Sequence, residues 1–324
     1  MNYIVFDLEW NQCPGGKSRE NPRLPFEIIE IGAVKLDKNM REVGEFHEVV
    51  RPLVYHHLHY RMKEVVPITE AELNKARTFS RVVREFLKWI GDEEFRFVTW
   101  GGLDVLELQR NMDYYRIPNP FPKPLLYYDL QKLYSLLYDD GKKRLALDAA
   151  IEREHIACDR PFHRANDDAW YTAQVMKGMD FKAVSVYESV DYYRLPSTRE
   201  EEIFLDFGTY TKYVSRPFAS RDEAMADKTV TSLKCCKCKL PTWKRVKWFS
   251  TGTSVYLGLS QCPKHGYVKG KLRLKKLPNG TMFVVKTIKL ADDEAARSIR
   301  DKREQMREHR RNHRKSKKGQ SPED

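Results

Sequence analysis

Acidic residues are missing from one long stretch of this 324-residue chain: between Lys228 and Leu290 there are fifteen Lys or Arg and no Asp or Glu. A segment with one sign of charge cannot pair its charges internally, and it points to a polyanionic partner, with nucleic acid leading. Residues 1–227 carry 32 basic and 38 acidic side chains, so the formal net charge of +12 belongs to the carboxy-terminal third. Cysteine is scarce as well. Four of the six cysteines fall between Cys235 and Cys262, which is metal-site usage, argues against a disulfide framework and suits a reducing compartment. No apolar run approaches the roughly 20 residues that span a bilayer. The short apolar run at the amino terminus ends on Asp7 and Glu9 and has no signal-peptide pattern. These absences predict a soluble, cytoplasmic protein with no membrane partner. With 41% apolar residues the chain can bury a full core, and its length suggests one large domain and one smaller.

What is present begins with Tyr3–Leu8, a β-branched and aromatic run that reads as a buried strand. Side chains two apart on a strand share a face, so Asp7 and Glu9 project together. Two carboxylates so close repel unless a cation neutralises them, and hard oxygen ligands suit Mg²⁺ or Mn²⁺. The plainer alternative is a pair pointing into water. Ile28–Leu36 and Val43–Val50 read as further strands of an antiparallel meander. From Phe79 to Ile90 the apolar residues recur at helical spacing, and Gly91 ends the helix. Phe95–Trp100 is the next strand; Gly101 and Gly102 break it before a helix over Leu103–Tyr115 with Asp104 in its first turn. Asp104 could face the first pair or simply favour the helix N-terminus, and Asp113 is a nearby competitor. Leu125–Tyr128 reads as a strand, and Asp129–Tyr138 and Leu145–His155 as helices. Strands alternating with helices after a meander predict an α/β domain with a mixed sheet. A further helix has Asp167 as N-cap and Asp168 in its first turn, with His163 in the loop before it.

Carboxylates from separate segments can hold two cations about 3.5 to 4 Å apart, which clamp attacking and leaving oxygens. A nearby His can take a proton from water at neutral pH. The set makes sense for phosphodiester hydrolysis. Phe6-Asp7-Leu8-Glu9, Asp104 after the Thr99-Trp100-Gly101 strand end, and His163 five residues before Asp168 resemble the DEDDh branch of the DEDD superfamily of 3′-to-5′ exonucleases, over about Met1 to Gly178. Phe97–Gly101 and His163-Arg164-Ala165 are similar to the branch that includes the histone-mRNA and RNA-interference exonucleases. The resemblance implies a ribonuclease H-like fold. It also implies that Asp7, Glu9, Asp104 and Asp168 hold two Mg²⁺ or Mn²⁺, that His163 activates the attacking water, and that mononucleotides leave a free 3′ end. Leu8 and Trp10 would contact the terminal nucleotide, unless Leu8 is ordinary core on the opposite face. Asp167 competes with Asp168, although the five-residue interval favours Asp168.

Further along, Cys235-x-x-Cys238 and Cys262-x-x-His265 have the ligand number and spacing of a closed Cys₃His site for one structural Zn²⁺, and Cys236 is a spare thiol. Arg245–Ser250 and Val255–Leu259 read as strands of a small β-rich, zinc-ribbon-like domain. Pro278-Asn279-Gly280 marks a hairpin between Lys271–Leu277 and Thr281–Leu290. Lys244, Arg245, Lys247, Lys271 and Arg273, interleaved with Trp243, Trp248, Tyr256 and Tyr267, are the candidate nucleic-acid contacts. The expected domains are an exonuclease domain over 1–195, a linker over 196–227, a basic zinc-ribbon-like domain over 228–290, and a charged helix with a disordered basic tail over 291–324. The expected activity is metal-dependent 3′-to-5′ hydrolysis of single-stranded nucleic acid with a free 3′ end, RNA before DNA. The alternatives are a DNA-trimming or proofreading exonuclease, an inactive nucleic-acid-binding protein, and a basic module that docks on a protein complex.

Overall fold

The computed structural model describes residues 1–139, 141 and 143–318, with side chains through residue 312. The chain divides into two compact units, Met1–Arg194 and Leu195–Asp324. The amino-terminal unit holds strands β1 (Asn2–Gln12), β2 (Phe26–Leu36), β3 (Glu42–Arg51), β4 (Arg77–Thr78), β5 (Phe95–Thr99), β6 (Leu126–Asp129) and β7 (Ser189–Val190). Its helices are α1 (Tyr60–Val65), α2 (Glu70–Lys75), α3 (Phe79–Ile90), α4 (Leu103–Tyr114), α5 (Leu130–Tyr138), α6 (Leu147–Arg153), α7 (Ala165–Gly178) and α8 (Phe181–Val184). The strands form one mixed sheet in the order β4-β3-β2-β1-β5-β6-β7. β1 pairs antiparallel with β2 and parallel with β5. It is therefore the inner strand where the meander meets the crossover strands, and both its neighbours bring chemistry to it.

The period of two sorts β1 into two cores. Ile4, Phe6 and Leu8 pack with α3 and α4 through Phe86, Val105 and Leu108. Val5 packs on the other face with Val34, Val98 and Tyr171, Ala173 and Val175 of α7. Each such aliphatic or aromatic side chain contributes about 1.5–3 kcal/mol on burial. Asp7 and Glu9 share the parity of Val5 and so project on the α7 side. The helix comes unusually close there: a Cβ placed on Gly32 would lie 2.1 Å from the backbone of Ala165 and Asn166. Gly32 is the cross-strand partner of Asp7. Only a residue without a side chain lets the α7 N-terminus settle beside that carboxylate. The helix starts at Ala165 with Arg164 as its N-cap residue, so Asp167 is inside the first turn and is not the cap.

The carboxy-terminal unit is larger than a ribbon. Strands β8 (Ile203–Asp206), β9 (Tyr210–Val214), β10 (Trp243–Ser250), β11 (Val255–Cys262), β12 (Gly266–Lys276) and β13 (Met282–Ala291) make one six-stranded sheet, ordered β10-β11-β12-β13-β9-β8. Every pairing in it is antiparallel. Residues 196–227, expected as a linker, instead supply two of these strands and the helix α9 (Arg221–Ala226), followed by α10 (Lys228–Thr231). The sequence there hides its pairing because β9 adds to β13, 71 residues downstream by the Val214–Val285 register. The last helix, α11 (Asp293–Lys318), also departs from expectation. Ala296, Ile299 and Met306 pack on Val246, Phe249 and Leu259, and the helix continues through most of the stretch expected as a disordered tail. Residues 319–324, the end of that expected segment, lie outside the described residues. No helix among the described residues is long and apolar enough to cross a membrane.

Candidate active site

The carboxylates converge from three elements. Asp7 and Glu9 stand near the end of β1. Gly101, at φ 123°, turns the chain out of β5 into α4, and Asp104 lies in the first helical turn, where the helix dipole favours an anion. Its Oδ1 accepts a hydrogen bond from the Leu8 backbone N–H at 3.3 Å, which fixes Asp104 beside the first pair. Asp113, the competitor, sits exposed at the far end of α4. From the third element, donor atoms of Glu9, His163 and Asp168 all lie within 4.8 Å of one another. Asp167 instead points to Arg160, 3.7 Å away. His163 is exposed and holds φ at 63°, a left-handed conformation that costs a non-glycine residue about 1 kcal/mol or more and is typical of functional loops.

Electrostatics describe a set of carboxyls raised by burial and by one another. Burial, then the charges of Asp104, Glu9 and Asp168, push the Asp7 carboxyl well above the usual range. Burial followed by Asp168 and Glu30 raises Glu9 to about 8, and burial raises Asp104 to about 7. Burial also takes Asp168 to about 6, although the His163 ring pulls the other way. The buried Oδ1 of Asp168 has no hydrogen-bond partner among the described residues. A buried unpaired carboxylate oxygen costs free energy unless a ligand meets it. All-oxygen donors with one imidazole nearby fit Mg²⁺ or Mn²⁺.

The neighbours that hold this set were not found from the sequence. Glu30, fully buried on β2, accepts hydrogen bonds from Arg164 Nε at 2.8 Å and from the Ala165 N–H at 3.0 Å. The His47 ring is 2.6 Å away. Burial alone would raise the Glu30 carboxyl, yet the bonds from His47, Arg164 and Ala165 hold it below its ordinary value. Asn11, also fully buried, binds the loop after β3 through the carbonyls of Tyr55 and His57 and the N–H of His59. Glu27 collects the N–H groups of Leu53, Val54 and Tyr55 and the Tyr115 hydroxyl. Two glutamates inside the otherwise apolar Phe26–Val34 run were the available signal, because a buried carboxylate demands partners. Leu8 is corrected: its side chain is 3% exposed within the α3–α4 core and cannot reach a nucleotide. Trp10 is half-buried, 5.6 Å from the Phe26 ring.

In the other unit, Cys235, Cys238, Cys262 and His265 come together with donor atoms within 4.8 Å. Cys238 Sγ lies 3.6 Å from Cys262 Sγ, and Cys235 Sγ lies 3.5 Å from His265 Nδ1. Tetrahedral zinc at a Zn–S distance near 2.3 Å implies edges of about 3.8 Å, so the cluster is compatible with zinc. Cys236 is buried but turns to the Thr209 carbonyl, outside the cluster. Lys244, Arg245, Lys247, Lys271 and Arg273 are all exposed. They do not form one stripe: the register puts Lys271 and Arg273 on the α11 face, whereas Lys244, opposite Ser260, is on the other. Of the four interleaved aromatics only Trp243 is exposed. Trp248 donates to the Thr231 carbonyl, Tyr256 packs in the core, and Tyr267 accepts from Arg300.

Comparison with known proteins bears on the amino-terminal unit. Residues 4–176 match the RNase T exonuclease family model. A probable 3′-5′ exonuclease, KapD, of Bacillus subtilis is 28% identical over 175 residues, covering 54% of this chain and 82% of that protein. A PolC-type DNA polymerase III of Clostridium perfringens is 30% identical over 200 residues, 61% of this chain but only 12% of that protein. Among solved structures, the nuclease domain of 3'hExo, a DEDDh family member bound to rAMP, aligns with TM-score 0.49 and 20% identity over 59% of this chain and 96% of that one. The match spans the segments that carry Asp7, Glu9, Asp104, His163 and Asp168, and the chain belongs to the RNase T exonuclease family as a 3′-to-5′ exonuclease.

Proposed function

We propose that the amino-terminal unit removes nucleotides from the 3′ end of single-stranded nucleic acid, RNA in preference to DNA, with His163 as general base. The observation that carries this reading is the grouping of Glu9, His163 and Asp168 within 4.8 Å beside Asp7 and Asp104. Asp7, Glu9, Asp104 and Asp168 would hold two Mg²⁺ or Mn²⁺, which supply charge stabilisation for the phosphoryl oxygens and lower the pKa of bound water. His163, exposed at the mouth of the carboxylate set, accepts the proton from the attacking water. The water oxygen bonds to phosphorus as the bond to the preceding nucleotide's 3′ oxygen breaks, and a nucleoside 5′-monophosphate leaves. Trp10, next to Glu9 in the chain, would contact the terminal base. In the second unit, one structural Zn²⁺ on Cys235, Cys238, Cys262 and His265 would pin the loop before β10 to the β11–β12 turn. The exposed Lys271 and Arg273, with Lys244, Arg245 and Lys247, would add phosphate affinity. Reduced zinc thiolates suit a cytoplasmic location.

RNA preference is supported by the likeness of Phe97–Gly101 and His163–Ala165 to the RNA-trimming branch. A DNA-trimming role is the second reading, favoured by the 30% identity to a DNA polymerase of the PolC type. The test is degradation of 5′-labelled RNA and DNA of one sequence by wild type and Asp168→Asn, in Mg²⁺, Mn²⁺ or EDTA. A metal-dependent ladder that shortens from the 3′ end faster on RNA is expected. Faster DNA cleavage reverses the substrate assignment, and binding without cleavage under any cation leaves only a nucleic-acid-binding protein.

A further inference from the structure

The carboxy-terminal unit contains a cavity of about 600 Å³ that none of the groups above uses. Phe204, Tyr213 and Ile288 give it an apolar wall, and Lys228 and Lys234 stand on its rim. Three further lysines in it are already engaged: Lys212, 5.7 Å over the Phe207 ring, Lys286 and Lys239. Lys286 donates to the carbonyls of Thr229 and Ser232 and lies 4.9 Å over the Tyr213 ring. Lys239 pairs with Asp206, the one acid in the lining. Lys228 and Lys234 are exposed and meet no carboxylate among the described residues. Lys234 directly precedes Cys235, so the Cys₃His cluster fixes where its stem leaves the fold.

Phe204 is the second observation. It is 65% exposed on β8, the edge strand of the sheet, and its ring lies 4.8 Å from that of Tyr213. A bare phenyl on a sheet edge invites aggregation and is ordinarily removed or covered. Here it is braced from behind and open in front, which is how a stacking platform for a base is built. An aromatic wall with unpaired ammonium groups beside it matches a base and its flanking phosphates, and not an acidic peptide, which would have nothing to stack.

We propose that this cavity is a nucleic-acid subsite that takes one base of a single strand on Phe204, with the adjoining phosphates on Lys228 and Lys234. The inference rests on the reading that this unit engages nucleic acid, but it uses different residues, on the face opposite Lys271 and Arg273. Phe204, Tyr213 and Ile288 have the sheet parity of Leu272 and Gly270, opposite to that of Lys271 and Arg273.

The test is fluorescence anisotropy of a labelled oligouridylate with the full chain carrying Asp168→Asn, so that the probe is not cut. Phe204→Ala should weaken binding about tenfold, and Phe204→Trp should restore it. Lys228→Gln with Lys234→Gln should reduce the salt slope by about 0.7 for each lost phosphate contact. All of these residues are exposed, and unchanged melting of the variants shows that folding is kept. If the cavity variants bind as the parent does while Lys271→Gln with Arg273→Gln weakens binding, the subsite is wrong and the nucleic-acid reading of the unit stands. If neither set changes binding, both are wrong. If AMP displaces the oligonucleotide at equal affinity, the cavity takes free nucleotides and the strand assignment is overturned.

Discussion

Glu9 and Glu30 lie directly opposite each other across β1 and β2, yet only one of them is neutralised. Arg164, Ala165 and His47 surround Glu30, whereas Glu9 keeps its oxygens for the site. Like charges so placed are destabilising in a sheet. The pairing makes sense if Glu30 is a structural anchor for the loop that delivers His163 and Asp168, and Glu9 is held in reserve for a cation.

Arg164→Ala should therefore leave Glu30 buried without its main partner. Breaking a buried pair from one side costs about 3–5 kcal/mol. Urea denaturation should show a loss of that order, together with a fall in exonuclease rate. A variant as stable as the parent would show that Glu30 is anchored by His47 and Ala165 alone.

Gly32→Ala tests the close approach of α7. The added methyl would meet the backbone of Ala165 and Asn166, which cannot swing aside as a side chain can. Overpacking of this kind costs about 1–3 kcal/mol, and displacement of Asp168 from Glu9 should lower the turnover rate even where the fold survives. Unchanged turnover in the folded variant would mean that the helix position is not what sets the site.

Stability should depend on pH and cation together. Glu9 at about 8, Asp104 at about 7 and Asp168 at about 6 are all raised by folding. These three groups bind protons more tightly in the folded chain than in the unfolded one, so their contribution to metal-free stability is greatest below the ordinary carboxylate value near 4 and falls as pH rises to about 8. Mg²⁺ or Mn²⁺ should offset the loss by mass action. Melting in EDTA and in Mg²⁺ at acid and at mildly alkaline pH should show a larger cation shift on the alkaline side; equal shifts would refute the account.

Asp168→Asn should separate activity from stability. The substitution removes a carboxylate whose buried Oδ1 has no hydrogen-bond partner among the described residues, so the melting temperature in EDTA should hold or rise. Hydrolysis should fall by about a thousandfold, as the loss of several kcal/mol of cation-mediated stabilisation implies. A fall of less than about tenfold would move Asp168 out of the catalytic set.

Metal analysis of the full chain should find one zinc, retained in Cys236→Ser and lost in Cys262→Ser. Because Cys235 and Cys262 are buried at the junction of the loop before β10 and the β11–β12 turn, loss of zinc should lower the melting of this unit. Equal zinc content in the two variants would argue against the Cys₃His assignment.

The sequence by itself determined the local and the periodic. The β-branched and aromatic run of β1, the helical spacing over Phe79–Ile90, the Asn279-Gly280 turn and the paired Cys knuckles each depend on residues within a few positions of one another. Physical preference acts at that range, so these elements and the ligand types were legible. It also showed that Asp7 and Glu9 share a face. The tertiary structure decided which groups meet. Asp104 over Asp113 follows from a bond to the Leu8 backbone, 96 residues away. The charge of Glu30 is met from Arg164, 134 residues on. The assignment of residues 196–227 to a sheet depends on β13, and the packing of α11 depends on an apolar face supplied by β10 and β11. Such long-range partners leave no mark in local pattern, because a polar residue awaiting a distant partner and one facing water read alike until the chain is folded.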